Sequence, residues 1–133
     1  MRIVAAIMVA ACLGGEAFAQ TTREVEVYFG ANKAELTDEA QAVVNEARSI
    51  ALNCDATAIR IVGHDDTAPA PEASRRMSLQ RAENVRELML KGDYFKPEIV
   101  AAEGHGQDEL VIKTGPGVKE PQNRRVVIAI TCK

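Results

Sequence analysis

The chain has 133 residues, which is enough for one domain with a modest hydrophobic core. Its net charge is −3, it contains no tryptophan, and no basic run alternates with aromatic residues, so the composition argues against a nucleic-acid-binding protein. Cys54 and Cys132 stand in neither a CxxC motif nor a zinc-ligand spacing, which argues against a redox centre or a structural zinc site.

The first 19 residues have the features of a secretory signal peptide. Arg2 precedes an apolar run over residues 3–13, and the small-residue sequence Ala-Phe-Ala at 17–19 is typical of a cleavage site. The apolar run is too short to span a bilayer. We therefore expect a mature, exported chain of residues 20–133. Attachment of a lipid at Cys12, which follows small residues, is the less favoured alternative.

Export implies an oxidising compartment. Cleavage after residue 19 leaves two cysteines, Cys54 and Cys132, and two cysteines in a small exported domain are more often paired than free. We therefore expect them to be paired.

The mature chain predicts two helices and four strands in the order β-α-β-α-β-β. Alternating charged and apolar residues at 24–29 predict the first strand, and Thr37 is placed to cap a helix that reaches Ala51. The later predicted elements are a strand at 58–62, a helix at 72–90, and strands at 99–102 and 126–131. This order favours a single α/β (α+β) domain whose first three strands are parallel neighbours, with the last strand antiparallel.

The candidate site follows from this topology. Ligand sites of parallel sheets lie at the carboxyl ends of the strands. The residues 30–33, 63–66 and 104–107 follow the first, second and third predicted strands. We expect this rim to bind a ligand.

One hypothesis makes the rim a metal-dependent hydrolytic site. His64, Asp65, Asp66 and His105 supply ligand types, with a carboxylate as the base. Consecutive residues at a strand end point in opposite directions, however, and the chain has only two histidines. The alternative is that His64 packs on the strand while the two aspartates cap the following turn.

A second hypothesis makes the rim a pocket for a zwitterion. Asp66 follows the carboxyl end of the second predicted strand. Arg81 is predicted to lie about two turns into the second helix, near the edge of its buried face. A carboxylate accepts from an ammonium, and a guanidinium forks onto a carboxylate. The same two residues are equally consistent with a plain Asp66–Arg81 salt bridge, and the residues alone leave both interpretations open.

The chain resembles the OmpA-like C-terminal domain family, the peptidoglycan-binding modules of Gram-negative envelopes. Nearly the whole mature chain carries the resemblance, in order and at family spacing. The matching segments are residues 27–29, 32–36, 59–66 (IRIVGHDD), 78–82 (SLQRA), Val85, 104–106 and 120–126 (EPQNRRV).

The resemblance implies two helices packed on a four-stranded mixed sheet, no catalysis and no cofactor. It implies a periplasmic protein, associated with the outer membrane or other envelope proteins, that holds the diaminopimelate residue of the peptidoglycan stem peptide. The site residues that it implies are Asp66, Arg81, Arg124, Asn32, Thr67 and Ser74. It also places the last strand beside the second, which would bring Cys132 close to Cys54.

The sequence also departs from the family pattern. The family usually has threonine where Asp65 stands, and it often has Tyr-Asn where this chain has Ala73-Ser74. An acidic residue that is common after the first strand is Gly30 here. These changes motivate an alternative in which the domain has drifted from wall binding and docks another envelope protein.

Overall fold

The computed structural model describes residues 20–133, so the predicted signal peptide at 1–19 and the alternative at Cys12 lie outside the described residues. The elements are β1 (Thr21–Tyr28), α1 (Asp38–Asn53), β2 (Ala58–Gly63), α2 (Pro71–Leu90), β3 (Val100–Gly104) and β4 (Arg125–Cys132). Short 3₁₀ turns at Pro97–Ile99 and Pro121–Asn123 precede β3 and β4. The predicted α/β class and the β-α-β-α-β-β order are confirmed.

The four strands form one mixed sheet in the order β1-β4-β2-β3. β2 and β3 are parallel, and β4 runs antiparallel to both β1 and β2. The prediction that the first three strands are neighbours is therefore wrong for β1, because β4 lies between β1 and β2. The inner strand β4 has a fully buried face, whereas β1 alternates exposed charges with valines, as suits an edge strand.

Both helices pack on the same face of the sheet. Thr37 caps α1 as predicted, because its hydroxyl accepts from the backbone N–H of Ala40 at 3.1 Å. The buried apolar side chains lie between the helices and this face, where each valine, isoleucine or methionine contributes about 1.5–3 kcal/mol by leaving water. They include Val44, Ala47, Ala51, Ile59, Ile61, Ala82, Val85, Met89, Ile128 and Ile130.

Two glycines at the ends of β2 and β3 let α2 approach the sheet closely. A Cβ added at Gly63 would clash with the backbone carbonyl of Ser78, and one added at Gly104 would lie 2.5 Å from the backbone nitrogen of Leu79. α2 therefore rests directly on the strand ends. This contact brings Arg81, which lies less than one turn further along, to the carboxyl ends of the strands.

A disulfide bond joins Cys54 to Cys132, with the Cα atoms 5.3 Å apart, and this confirms the predicted pairing. It connects the end of α1 to the end of β4, at the opposite end of β2 from Gly63. Between residues 20 and 133, no helix is long and apolar enough to cross a membrane.

Candidate functional site

The carboxyl end of β2 carries two ion pairs. The Asp65 carboxylate pairs with Arg81, at 2.9 Å between Oδ1 and Nη1, and the Asp66 carboxylate pairs with Arg124, at 2.9 Å between Oδ2 and Nη1. The sequence hypothesis joined Asp66 to Arg81. The structure brings these four residues together at the predicted rim but gives each aspartate a different arginine.

Arg81 is enclosed by the protein. Its side chain is 0% exposed and lies over the ring of Phe29, with the guanidinium carbon 5.3 Å from the ring centroid. Burial lowers the pKa of Arg81 below its ordinary value, and the Asp65 carboxylate opposes that shift. Arg81 was expected at the edge of the buried face of α2; it is instead part of the core, where its charge depends on Asp65.

The backbone completes the environment of Arg81. Nε donates to the carbonyl of Lys33 at 2.8 Å, Nη1 to that of His64 at 3.1 Å and Nη2 to that of Gly30 at 3.1 Å. Arg81 thus fastens the turn after β1 to the end of β2.

Asp66 is desolvated and surrounded by donors. Its side chain is 2% exposed; Oδ1 accepts from the backbone N–H of Ala68, and Oδ2 accepts from that of Glu120 at 3.0 Å as well as from Arg124. Burial alone would raise the pKa of Asp66, but the N–H groups of Glu120 and Ala68 and the Arg124 guanidinium together lower it below its ordinary value. Asp66 is therefore an ionised acceptor.

Arg124 lies nearer the surface than Arg81. Its side chain is 12% exposed, and its Nε donates to the carbonyl of Phe29 at 3.1 Å. Arg124 is thus the more accessible of the two guanidinium groups.

The segment 114–120, here called the cover segment, lies over Asp66 and Thr67. The Thr67 hydroxyl is 2.6 Å from the carbonyl of Gly115 and accepts from the N–H of Val118 at 3.1 Å, while the Thr67 carbonyl accepts from Gly117 at 2.7 Å. The Thr67 hydroxyl was predicted to contact a ligand; here it holds the cover segment.

Ser74 and Asn32 differ in accessibility. Ser74 is buried at the start of α2, where its hydroxyl lies 3.3 Å from the Asp66 carbonyl and accepts from the Gln107 side chain at 2.8 Å. Asn32 is exposed in the turn after β1, with a positive φ of 56°. Asn32 is therefore accessible, and Ser74 supports the backbone of Asp66 from beneath.

Strand alternation is the signal that identifies the partner of Arg81. Ile59, Ile61 and Gly63 face the helices, so the same period of two places Asp65 on the helix side and His64 on the opposite side of the sheet. Sequence reasoning that relied on family position alone missed this role of Asp65. It also missed the backbone N–H of Glu120, which no side-chain pattern could indicate.

The two histidines lie on the side of the sheet opposite to the helices, where His64 is buried and His105 is partly exposed. Their rings meet edge to face, with centroids 5.8 Å apart, and His105 contacts the carboxylates of Glu103 and Glu109 at 2.9 and 3.0 Å. Within residues 20–133, no group of three or more His, Cys, Asp or Glu side chains is arranged to hold a metal ion. His64 lies beside His105, whereas Asp66 contacts Arg124 and the backbone N–H groups of Ala68 and Glu120, so His64 and Asp66 have different neighbours.

A cleft of about 470 Å³ opens beside Thr67. It is lined by residues 67–71 on one side and by Gln107, Leu110 and residues 114–117 on the other. Its size is within the range of small-ligand sites. A larger groove of about 1180 Å³ is lined mainly by the second half of α2, together with Leu36, Gln41 and Ala102, and contains none of the predicted site residues.

The sequence matches the family model described as OmpA family over residues 28–124. It is 29% identical over 110 residues to an outer membrane protein of Gluconacetobacter diazotrophicus, a match that covers 78% of this chain. The chain spans only 29% of the length of that relative.

Solved structures have the same fold at low sequence identity. The OmpA-like domain of FopA1 from Francisella tularensis matches with a TM-score of 0.73 at 16% identity, covering 85% of this chain and 74% of that one. The peptidoglycan-associated lipoprotein of Burkholderia pseudomallei gives 0.69 at 24%, covering 80% and 89%. The cell wall anchor of the T6SS from Pseudomonas aeruginosa gives 0.70 at 20%, covering 96% of both chains.

Proposed function

The chain belongs to the OmpA family, and from this premise we propose that it is a non-catalytic protein of the periplasm that binds peptidoglycan. The ligand is the stem peptide, held through its diaminopimelate residue, and binding anchors or stabilises the envelope. The names of two similar structures, a peptidoglycan-associated lipoprotein and a cell wall anchor, support this assignment. Export by cleavage after residue 19 remains part of the proposal.

The observation that carries the proposal is the ionised Asp66 carboxylate at the end of β2, with Arg124 beside it and a cleft that reaches Thr67. An ammonium group of the ligand replaces one of the N–H donors that Asp66 now has. Arg124, freed from Asp66, donates to a ligand carboxylate. Asn32 and Thr67 contribute hydrogen bonds at the rim, while Arg81 and Ser74 hold the rim in place.

Co-sedimentation with purified sacculi tests the proposal. The variants Asp66→Asn, which keeps the shape of the side chain, and Arg124→Gln, which keeps a polar side chain, each remove one charge. We expect each to lower the apparent affinity for sacculi by about tenfold, seen as a smaller sedimented fraction. The matched control is Arg60→Gln. Arg60 also pairs with a carboxylate, that of Glu103, but on the sheet face away from the helices, and its side chain is 57% exposed.

The result that contradicts the proposal is wild-type protein that stays in the supernatant, or variants that sediment as the wild type does. Either result would favour the alternative of a domain that docks another envelope protein. The enclosure of Arg81 and of Asp66 by the protein's own groups is the observation behind that alternative.

A further inference from the structure

The sheet ends in two edge strands, β1 and β3, which differ in how they are protected against pairing with another chain. On β1, Glu24 and Glu26 are exposed. If β1 paired antiparallel with β1 of a second copy, the two longest registers would place Glu24 directly opposite Glu26 or opposite the same glutamate of that copy. Like charges at opposed positions are destabilising, so β1 is protected against such pairing.

β3 offers unpaired backbone groups at its outer edge. The N–H of His105 donates to the carbonyl of Gly63 in β2 at 2.9 Å. Because this direction alternates along a strand, the N–H and C=O groups of Ala102 and Gly104 point away from β2. Within residues 20–133, no side chain bonds to these groups. The side chains at 101, 102 and 104 are also too small to block the edge.

A row of four side chains, here called the α2 stripe, lies beside this edge. Glu83, Arg86 and Leu90 line the larger groove together with Ala102, and Leu79, which is 38% exposed, precedes Glu83 by one turn. The spacing of 79, 83, 86 and 90 places all four on the same flank of α2. The order leucine, glutamate, arginine, leucine is complementary to itself when two such helices lie antiparallel.

The two charges of the α2 stripe are free to pair with another molecule. Glu83 is exposed, and it forms no ion pair among residues 20–133. Arg86 donates through Nε and Nη2 to the carbonyls of Val100 and Pro97, but its Nη1 has no hydrogen-bond partner in the same part of the chain. A carboxylate of a second molecule is a suitable acceptor for this group.

Two contacts show how α2 lies along β3. A Cβ added at Gly104 would lie 2.5 Å from the backbone nitrogen of Leu79. Arg86 Nε donates to the Val100 carbonyl at 2.8 Å, so α2 runs antiparallel to β3. The middle of the α2 stripe lies about 8 Å along the helix from Leu79, and Ala102 lies about 7 Å along β3 from Gly104. A single two-fold axis can therefore pass close to both midpoints.

We infer that this chain forms a symmetric homodimer in which β3 pairs antiparallel with β3 of a second copy about Ala102. The Ala102 N–H of each copy donates to the Ala102 carbonyl of the other. The two α2 helices then lie side by side, with Glu83 of each copy facing Arg86 of the other and Leu79 facing Leu90. The inference does not depend on the proposed function. It implies that the two candidate sites face opposite directions.

Sedimentation velocity of the purified protein at increasing concentration tests this inference. A small interface of this kind predicts a Kd of about 10 μM. Ala102→Pro removes the outward N–H but no bond to β2, and it should raise the Kd by at least about tenfold, because each copy loses one hydrogen bond. The matched control is Thr22→Pro, which removes an N–H that points away from the sheet at the edge of β1. This control should keep the wild-type Kd.

A second variant tests the helix contact. Glu83→Arg, at an exposed position, replaces attraction to Arg86 of the second copy by repulsion, and it should also raise the Kd by at least about tenfold. If Ala102→Pro does not unfold cooperatively, Glu83→Arg decides. A wild type that stays monomeric about tenfold above the expected Kd overturns the inference. Association beyond a dimer, or a dimer that the folded variants leave unchanged, overturns it as well.

Discussion

The two ends of the sheet are closed in different ways. At one end, the disulfide Cys54–Cys132 connects α1 to β4, and the Lys133 N–H donates to the Cys54 carbonyl. At the other end, the pairs Asp65–Arg81 and Asp66–Arg124 lie at the end of β2, almost removed from water. One end is fixed by a covalent bond and the other by desolvated charges.

The two ends of the sheet differ in the physical origin of the stability that they provide. A disulfide acts chiefly by reducing the conformational freedom of the unfolded chain, so it needs no polar environment and leaves no group for a ligand. Buried ions pay a desolvation penalty that only their partners offset, so each charge depends on its neighbour. The charged end is therefore the one whose stability depends on its charges and on pH, and it is the end at which the proposed function places the ligand.

Removing Arg81 should have the largest effect. In Arg81→Met, the Asp65 charge stays buried without its partner and three backbone carbonyls lose a donor. We expect a loss of about 5 kcal/mol in the free energy of unfolding, the upper end of the range for a broken buried pair. Guanidinium denaturation followed by circular dichroism measures it.

The matched control for this change is Arg124→Met, because the Arg124 side chain keeps some contact with water. It should cost about 1–2 kcal/mol, the amount usual for one hydrogen-bonded partner. Equal losses in the two variants would show that the two ion pairs do not differ as the structure implies.

Removing the disulfide should lower the free energy of unfolding slightly less than Arg81→Met does. The double variant Cys54→Ser/Cys132→Ser frees a loop with a sequence separation of 78 residues. The chain-entropy treatment gives about 4 kcal/mol for a loop of this length. The same denaturation experiment checks it, with and without reductant. A reductant should destabilise the wild type and leave the double variant unchanged, and a wild type that does not respond to reductant would contradict this prediction.

Acid should weaken the charged end through His64. Burial, aided by the nearby Arg125 and His105 and opposed by Glu109 and Glu26, lowers the pKa of His64 from 6.5 to about 4. The unfolded chain therefore binds this proton more readily than the folded protein does. The stabilisation that neutral His64 contributes is therefore fully present above pH 6.5. As the pH falls towards 4, the free energy of unfolding declines by about 3 kcal/mol.

Urea denaturation at several pH values between 6.5 and 4 measures the slope of the free energy of unfolding against pH. The variant His64→Gln should flatten this slope. His105 has a raised pKa, caused by its hydrogen bonds to Glu109 and Glu103, so its contribution is complete below pH 6.5 and is lost only at higher pH. His105→Gln should therefore change the slope between pH 6.5 and 4 much less than His64→Gln does, since His105 causes only a minor part of the His64 shift. A slope that persists in His64→Gln would assign the acid sensitivity to other groups.

Local patterns predicted the elements because each is encoded within a few residues. Thr37 and the apolar spacing after it define α1, and the scarcity of cysteines leaves one pairing for the mature chain. The position of β1 could not be predicted in this way. It depends on β4, the last element of the chain, inserting between β1 and β2, which is a non-local event.

The site was predictable as a region but not as a set of contacts. Asp66, Arg81 and Arg124 all lie near the carboxyl end of β2, where they were predicted to lie, yet which aspartate meets which arginine depends on the direction of single side chains at a strand end. The alternation through Ile61 and Gly63 contains that information for Asp65. The cover segment has no regular pattern that would indicate its contacts with Thr67.

The cover segment has a consequence for the speed of binding. The Glu120 N–H already occupies Asp66, and Thr67 holds Gly115, Gly117 and Val118. In the proposed function, a ligand reaches Asp66 only in molecules whose segment has lifted, so its apparent association rate is the collision rate multiplied by the lifted fraction. A Cβ added at Gly115 or Gly117 would meet no atom of residues 20–133 within 4 Å, so the segment is not packed in on that side. In the proposed function, the contacts of Thr67 with this segment thereby set how often Asp66 is available to the ligand.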